Sequence, residues 1–175
     1  MDDETIARFA ALEARLRVLE DHVSLYQLMM GYGPAVDAGE SELAAARWTD
    51  DGSYDAQVGE WHGRDAIAGM VDGEMHHGII GGGSAHVTAM PYVTIDGDRA
   101  VATAYAQLYR AESDGFRVWR VTATRWEFVR TGEGWRVQRR VNRLLDGDPE
   151  ARALLRQGVT VRRDVQGDAT ADVEG

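Results

Sequence analysis

The chain has 175 residues and no cysteine, which suits one domain with a sizeable core and excludes disulfides and thiolate metal sites. Hydrophobic residues make up 44% and charged residues 27%, an ordinary balance for a soluble globular protein. The net charge of −10 argues against nucleic acid as a partner, because its phosphates would be repelled. Met1-Asp2-Asp3-Glu4 is acidic where a signal peptide would be basic, and no apolar run approaches the ~20 residues of a membrane span. A cytoplasmic protein without membrane contact is the expectation.

Residues 4–32 read as one long helix. Phe9, Leu12, Leu16, Leu19, Val23, Tyr26 and Met30 recur at spacings of three and four, a heptad-like stripe. Its second half is expected to cover a sheet, and residues 1–20 to extend toward another subunit. Gly33-Pro34 is the expected break, since proline removes a donor and clashes with the preceding turn. Ser41 to Trp48 reads as a short helix with Ser41 as N-cap, and Asp50-Asp51-Gly52 as a turn. Ser53–Val58 and Glu60–His62 are extended. Helical patterning returns from Asp65 to His77, followed by a flexible loop at Gly81-Gly82-Gly83-Ser84. From there the texture is β. His86–Ile95 is a strand, turning at Asp96-Gly97-Asp98 into Arg99–Arg110. Phe116–Arg130 and Trp135–Leu144 follow, then a short helix at Pro149–Gln157. Residues 1–157 form the expected domain, and the polar tail 158–175 is expected to be disordered.

Helices first, then a long antiparallel meander, predict an α+β fold. A curved, cone-shaped antiparallel sheet wrapped by N-terminal helices would enclose a pocket, the default ligand site. Arg117, Arg120, Arg125, Arg130, Arg136, Arg139, Arg140 and Arg143 crowd residues 117–143. Pairing with the acidic remainder accounts for them, and an anionic substrate group is the sharper alternative. No aromatic spacing suits a nucleic-acid stacking platform. Val118, Trp126 and Phe128 on one face of a strand, with Trp119 and Val121 on the other, predict cover on both faces. A homo-oligomer, dimer or trimer, using the outer sheet face is therefore expected.

Four ordered segments carry a resemblance to a known family. They are Tyr32-Gly33-Pro34-Ala35-Val36-Asp37, Arg47-Trp48-Thr49-Asp50-Asp51-Gly52-Ser53-Tyr54, His86 through Ile95-Asp96-Gly97-Asp98-Arg99-Ala100, and Gly134-Trp135-Arg136-Val137. Over residues 8–145 the chain resembles the SnoaL-like branch of the nuclear transport factor 2-like superfamily. That fold hosts scytalone dehydratase, bile acid dehydratases, a dehydrochlorinase, ketosteroid isomerase, polyketide cyclases and non-catalytic proteins. The resemblance to the dehydratase branch implies an Asp–His pair at Asp37 and His86. It also implies tyrosines at Tyr32 and Tyr54, and a basic or amide residue on the last strand, Arg140 or Asn142. Gly33-Pro34, between Tyr32 and Asp37, departs from the family pattern.

The residue chemistry agrees with that implication. A histidine titrates near neutral pH and can take a proton, and a carboxylate fixes its tautomer and balances the imidazolium. Tyr32, Tyr54 and Arg140 could assist a leaving oxygen or a carbonyl. Asn142, Trp119 and Met90 are the expected substrate contacts. His76-His77 is a poor metal motif, because adjacent helical side chains diverge by ~100°. Neither metal nor cofactor is expected. The expected activity is a cofactor-independent lyase, a dehydratase or other eliminating enzyme, on a small hydrophobic or cyclic substrate. An isomerase or polyketide cyclase with the same base, and a non-catalytic pocket protein, are the alternatives.

Overall fold

Helix α1 (Asp3–Met30) begins where the Asp2 carboxylate accepts the Thr5 N–H at 2.8 Å, a side-chain N-cap. The computed structural model describes residues 2–159, so most of the tail expected to be disordered, 160–175, lies outside the described residues. The helix ends at Gly31, two residues before the expected break, and α2 (Tyr32–Asp37) follows directly. Pro34 falls in the first turn of α2, where a missing N–H leaves no intrahelical bond unmade. Only the second half of α1 docks on the domain. It does so through buried Leu25 and Met29 and through Asp21, which accepts hydrogen bonds from the Arg130 guanidinium (2.8 and 2.6 Å) and from Trp135 Nε1 (2.9 Å). The docking residues are not those of the apolar stripe, of which only Tyr26 is half-buried, and Leu19 is 63% exposed.

Helix α3 (Ser41–Ala45) is capped at Glu40 rather than Ser41, and strand β1 (Trp48–Asp55) starts at the tryptophan expected to close that helix. Asp50-Asp51-Gly52 is not a turn but lies within β1, where the register against the neighbouring strand shifts between Trp48 and Ser53. After β2 (Glu60–His62), the expected single helix is two, α4 (Arg64–Val71) and α5 (Glu74–Gly81). The backbone turns extended at Gly73 between them. The expected strand 86–95 is likewise two, β3 (Ser84–Thr88) and β4 (Tyr92–Asp96). Pro91, which cannot donate to a ladder, separates them. The long strands are β5 (Arg99–Glu112), β6 (Gly115–Thr131) and β7 (Gly134–Leu144), and α6 (Pro149–Gly158) ends the described chain. Gly97, at φ 59°, makes the β4–β5 turn that only glycine takes without strain.

The strands form one seven-stranded sheet in the order β2-β1-β7-β6-β5-β3, with β4 also on β5. The sheet is not purely antiparallel, because β1 runs parallel to β7. Register shifts at Leu108/Tyr109 and at Glu127/Phe128 bend the long strands. Trp48, Trp126, Phe128, Ile67, Val36, Val71 and Val137 fill the concave side beneath the helices. The irregularity at Trp119 separates exposed Val118 from buried Trp126 and Phe128, so these three do not form the continuous apolar face expected. Helix α6 lies across the opposite side of β5, β6 and β7, with Glu150 accepting from Arg143 at 3.1 Å. Part of the outer face expected to meet another subunit is therefore covered by the chain itself.

Candidate active site

Helix α2 and strand β3 meet because Gly33 has no side chain: a Cβ there would overlap the carbonyl oxygen of His86. One turn further along α2, Asp37 then stands beside β3. Its Oδ1 lies 2.7 Å from His86 Nδ1 and accepts the Ser84 hydroxyl at 3.0 Å, while Oδ2 accepts the His86 backbone N–H at 2.6 Å. Ser84 and His86 share a face by the two-residue period of a strand. These three donors fix the carboxylate. With Asp37 ionised, the imidazole carries its proton on Nδ1 and keeps a lone pair on Nε2. Burial holds the His86 pKa below the ordinary histidine value. The hydrogen bond and charge of Asp37 oppose that shift, and the charges of Arg140 and Arg120 reinforce it.

His86 lines a small chamber of about 30 Å³ together with Tyr32, Tyr54, His76, Arg120, Arg140 and Asn142. Arg140 is 4% exposed and makes no ion pair among the described residues. Its guanidinium carbon sits 4.4 Å from the Tyr32 ring centre, 4.6 Å from Tyr54 and 4.2 Å from Trp126, an aromatic cage that stands in for a carboxylate. Nε reaches Thr124 Oγ1 at 3.5 Å, and Nη1 has no partner. Burial pushes the Tyr32 pKa well above the usual phenol range, so Tyr32 keeps its proton and can serve as a donor. Asn142 Nδ2 donates to the Tyr54 hydroxyl at 3.0 Å, while Asn142 Oδ1 is buried and unpaired.

A second cavity of about 440 Å³ shares Tyr54, His76 and Arg120 with the chamber and opens outward over Trp61, Met70, Ile79 and Trp119. That volume lies in the range of small-molecule sites, and its lining is mainly apolar. The chamber alone admits little more than a functional group or a water. A family model for the SnoaL-like domain matches residues 17–141. The chain belongs to the SnoaL-like domain family. An NTF2-like protein with a cystatin-like fold from Novosphingobium aromaticivorans is similar at 42% identity and a TM-score of 0.82, over 89% of this chain and 98% of that one. Aln2 from a Streptomyces species is similar in fold at 20% identity and a TM-score of 0.65, covering 77% and 96% of the two chains. So is a protein from Catenulispora acidiphila solved in complex with S-DNPA, at 22% identity and a TM-score of 0.59, covering 77% and 94%. No curated protein matches the chain significantly.

Within this SnoaL-like domain the sequence-derived residues fall into three places. Asp37 pairs with His86, and His86, Tyr32, Tyr54, Arg140 and Asn142 line the chamber. Trp119 lines the outer cavity, half exposed, with the Arg110 and Arg120 guanidiniums over its ring. Met90 is a correction: it is 71% exposed and lines neither cavity, because the chain turns at Pro91 instead of continuing β3. His76 is the residue that sequence reasoning missed. Its ring stacks on His86 at 5.5 Å between centres, its Nε2 is buried without a partner, and burial pushes its pKa down to about 4. The arginine-rich stretch divides in three. Arg117, Arg125, Arg130, Arg136 and Arg143 pair with carboxylates and Arg120 and Arg140 face the chamber, while Arg139 is exposed and does neither among the described residues.

Proposed function

We propose that this protein is a cofactor-independent lyase, a dehydratase or related eliminating enzyme, acting on a small hydrophobic or cyclic substrate. The observation that carries the reading is the His86 imidazole, oriented by a carboxylate 2.7 Å away, at a chamber whose other charged lining groups are arginines. His86 Nε2 takes a proton from substrate carbon. The C–H electrons form the new double bond as the β C–O bond breaks. A tyrosine hydroxyl, Tyr32 or Tyr54, protonates the departing oxygen, and His86 returns the abstracted proton to that tyrosine through solvent. Asp37 balances the imidazolium, and the free Nη1 of Arg140 faces charge developing on a substrate oxygen. The polar reacting end fits the chamber, and the apolar body fits the Trp61–Trp119 cavity. The same reading takes the protein to be cytoplasmic and homo-oligomeric, and the proposed steps use side chains alone.

The unpartnered Nη1 of Arg140 also suits an isomerase or polyketide cyclase, in which it would hold an enolate while His86 moves the proton to another carbon. The test is to incubate the protein with hydroxylated cyclic ketones and follow loss of water and solvent-deuterium incorporation by mass spectrometry. Loss of water dependent on both His86 and Asp37 supports the lyase, and deuterium exchange without loss of water favours the isomerase. Turnover that survives His86→Ala would overturn both.

A further inference from the structure

Helix α1 has a surface that the proposed chemistry does not use. Residues 6–20 are exposed on every side, and a helix without tertiary contacts at that length is marginal in water. Phe9, Leu16, Val23 and Met30 recur every seven residues, with Leu12, Leu19 and Tyr26 three residues after the first three of them. In heptad terms these are the a and d positions, and all but Tyr26 are exposed. The domain hangs mainly from the other side of the helix, held by Asp21, Leu25 and Leu28 at positions f, c and f, with Met29 buried at the last g. The seam from Phe9 to Val23 is thus open along about 21 Å at 1.5 Å per residue, and the domain reaches it only in the last heptad, at Tyr26 and Met29. An exposed apolar stripe of this length marks an interaction surface.

The charges beside the seam select the occupant. Position g holds Arg8 and Arg15, and position e holds Glu13 and Glu20. None of the four makes an ion pair within its own chain among the described residues. In a parallel, in-register pair, each g faces the e that follows it on the other helix. Arg8 then meets Glu13 of the second copy, and Arg15 meets Glu20 of the second copy. In an antiparallel pair, g faces g and e faces e, so arginine would meet arginine and glutamate would meet glutamate. We propose that α1 pairs in parallel and in register with α1 of a second copy of this chain, with the two domains hung on the outer sides of the seam. This contact is distinct from the sheet face and independent of what the chamber does.

Because the chain has no cysteine, the test on the full-length protein is direct. Leu12→Cys, in the seam, should give a disulfide-linked dimer on mild oxidation, whereas Val18→Cys, equally exposed but off the seam, should not. Light scattering should show self-association of the wild type at micromolar concentration. Arg8→Glu with Arg15→Glu, or Glu13→Arg with Glu20→Arg, should each weaken it roughly tenfold, with mixed assemblies restored when the two variants are combined. Thermal melting of the domain should be unchanged in both charge variants, which separates lost association from lost folding. A monomeric wild type, association indifferent to both charge reversals, or equal cross-linking at positions 12 and 18 would overturn the proposal.

Discussion

Burial and hydrogen bonding pull on His86 in opposite directions. Desolvation and the two arginines favour the neutral ring, Asp37 favours the charged one, and desolvation prevails. The imidazole is therefore a free base at neutral pH. Turnover should rise with pH along an acid limb whose midpoint lies below 6.5, the ordinary histidine value. His86→Ala should remove about 10²–10⁴-fold of rate, as a lost general base does. Asp37→Asn should be comparably severe, and the double variant no slower than the worse single one, because the pair acts as a unit. Arg140 gives a second kind of test. A caged cation without a carboxylate is not a large source of stability, so Arg140→Met should lower turnover, by about 10²–10³ if the group holds an oxyanion, without lowering the melting temperature. At this scale Asp37 and His86 were legible because a family pattern pointed to both. His76 was not, since its place over His86 depends on the break at Gly73, and as sequence it is only one of two adjacent histidines.

Elements were legible where local chemistry and tertiary pairing agree. The β5–β6–β7 meander, with turns at Gly97, Gly115 and Gly134, lies within two or three residues of its expected bounds. They were misread where pairing overrides a local signal. Asp50-Asp51-Gly52 has turn composition, yet β2 and β7 draw the segment into the sheet and leave only a register shift. Gly33-Pro34 has helix-breaking composition, yet it opens α2, with Pro34 in the turn that needs no N–H and Gly33 against the β3 backbone. That contact makes Gly33 the hinge of the dyad. Gly33→Ala should cost about 1–3 kcal/mol by overpacking and should also cut turnover, because α2 must move away from β3 and take Asp37 with it. Urea denaturation and steady-state rates on one sample measure both. A variant of wild-type stability and rate would mean that the approach is looser than described.

Among the described residues, an acidic chain keeps two arginines free of carboxylate partners around one chamber, while the acid beside that chamber, Asp37, is held by three donors. The fold makes this possible by splitting the work. The concave aromatic core supplies the cage for Arg140, and helices α2 and α5 bring Asp37 and His76 to it. His76 also links the chamber to acid stability. Its folded-state pKa of about 4 lies below the unfolded value of 6.5, so its contribution is present above pH 6.5 and is lost as pH falls toward 4. His76→Gln should therefore make unfolding less sensitive to pH across that window, as read by denaturation at several pH values. The central claim, a neutral base oriented by Asp37, can be tested without a substrate. Nitrogen-15 NMR of the His86 ring should show the Nδ1–H tautomer at pH 7 and a titration midpoint below 6.5, moving lower still in Asp37→Asn as the raising influence of the carboxylate is lost. An Nε2–H tautomer at pH 7, or a midpoint unmoved by Asp37→Asn, would contradict it.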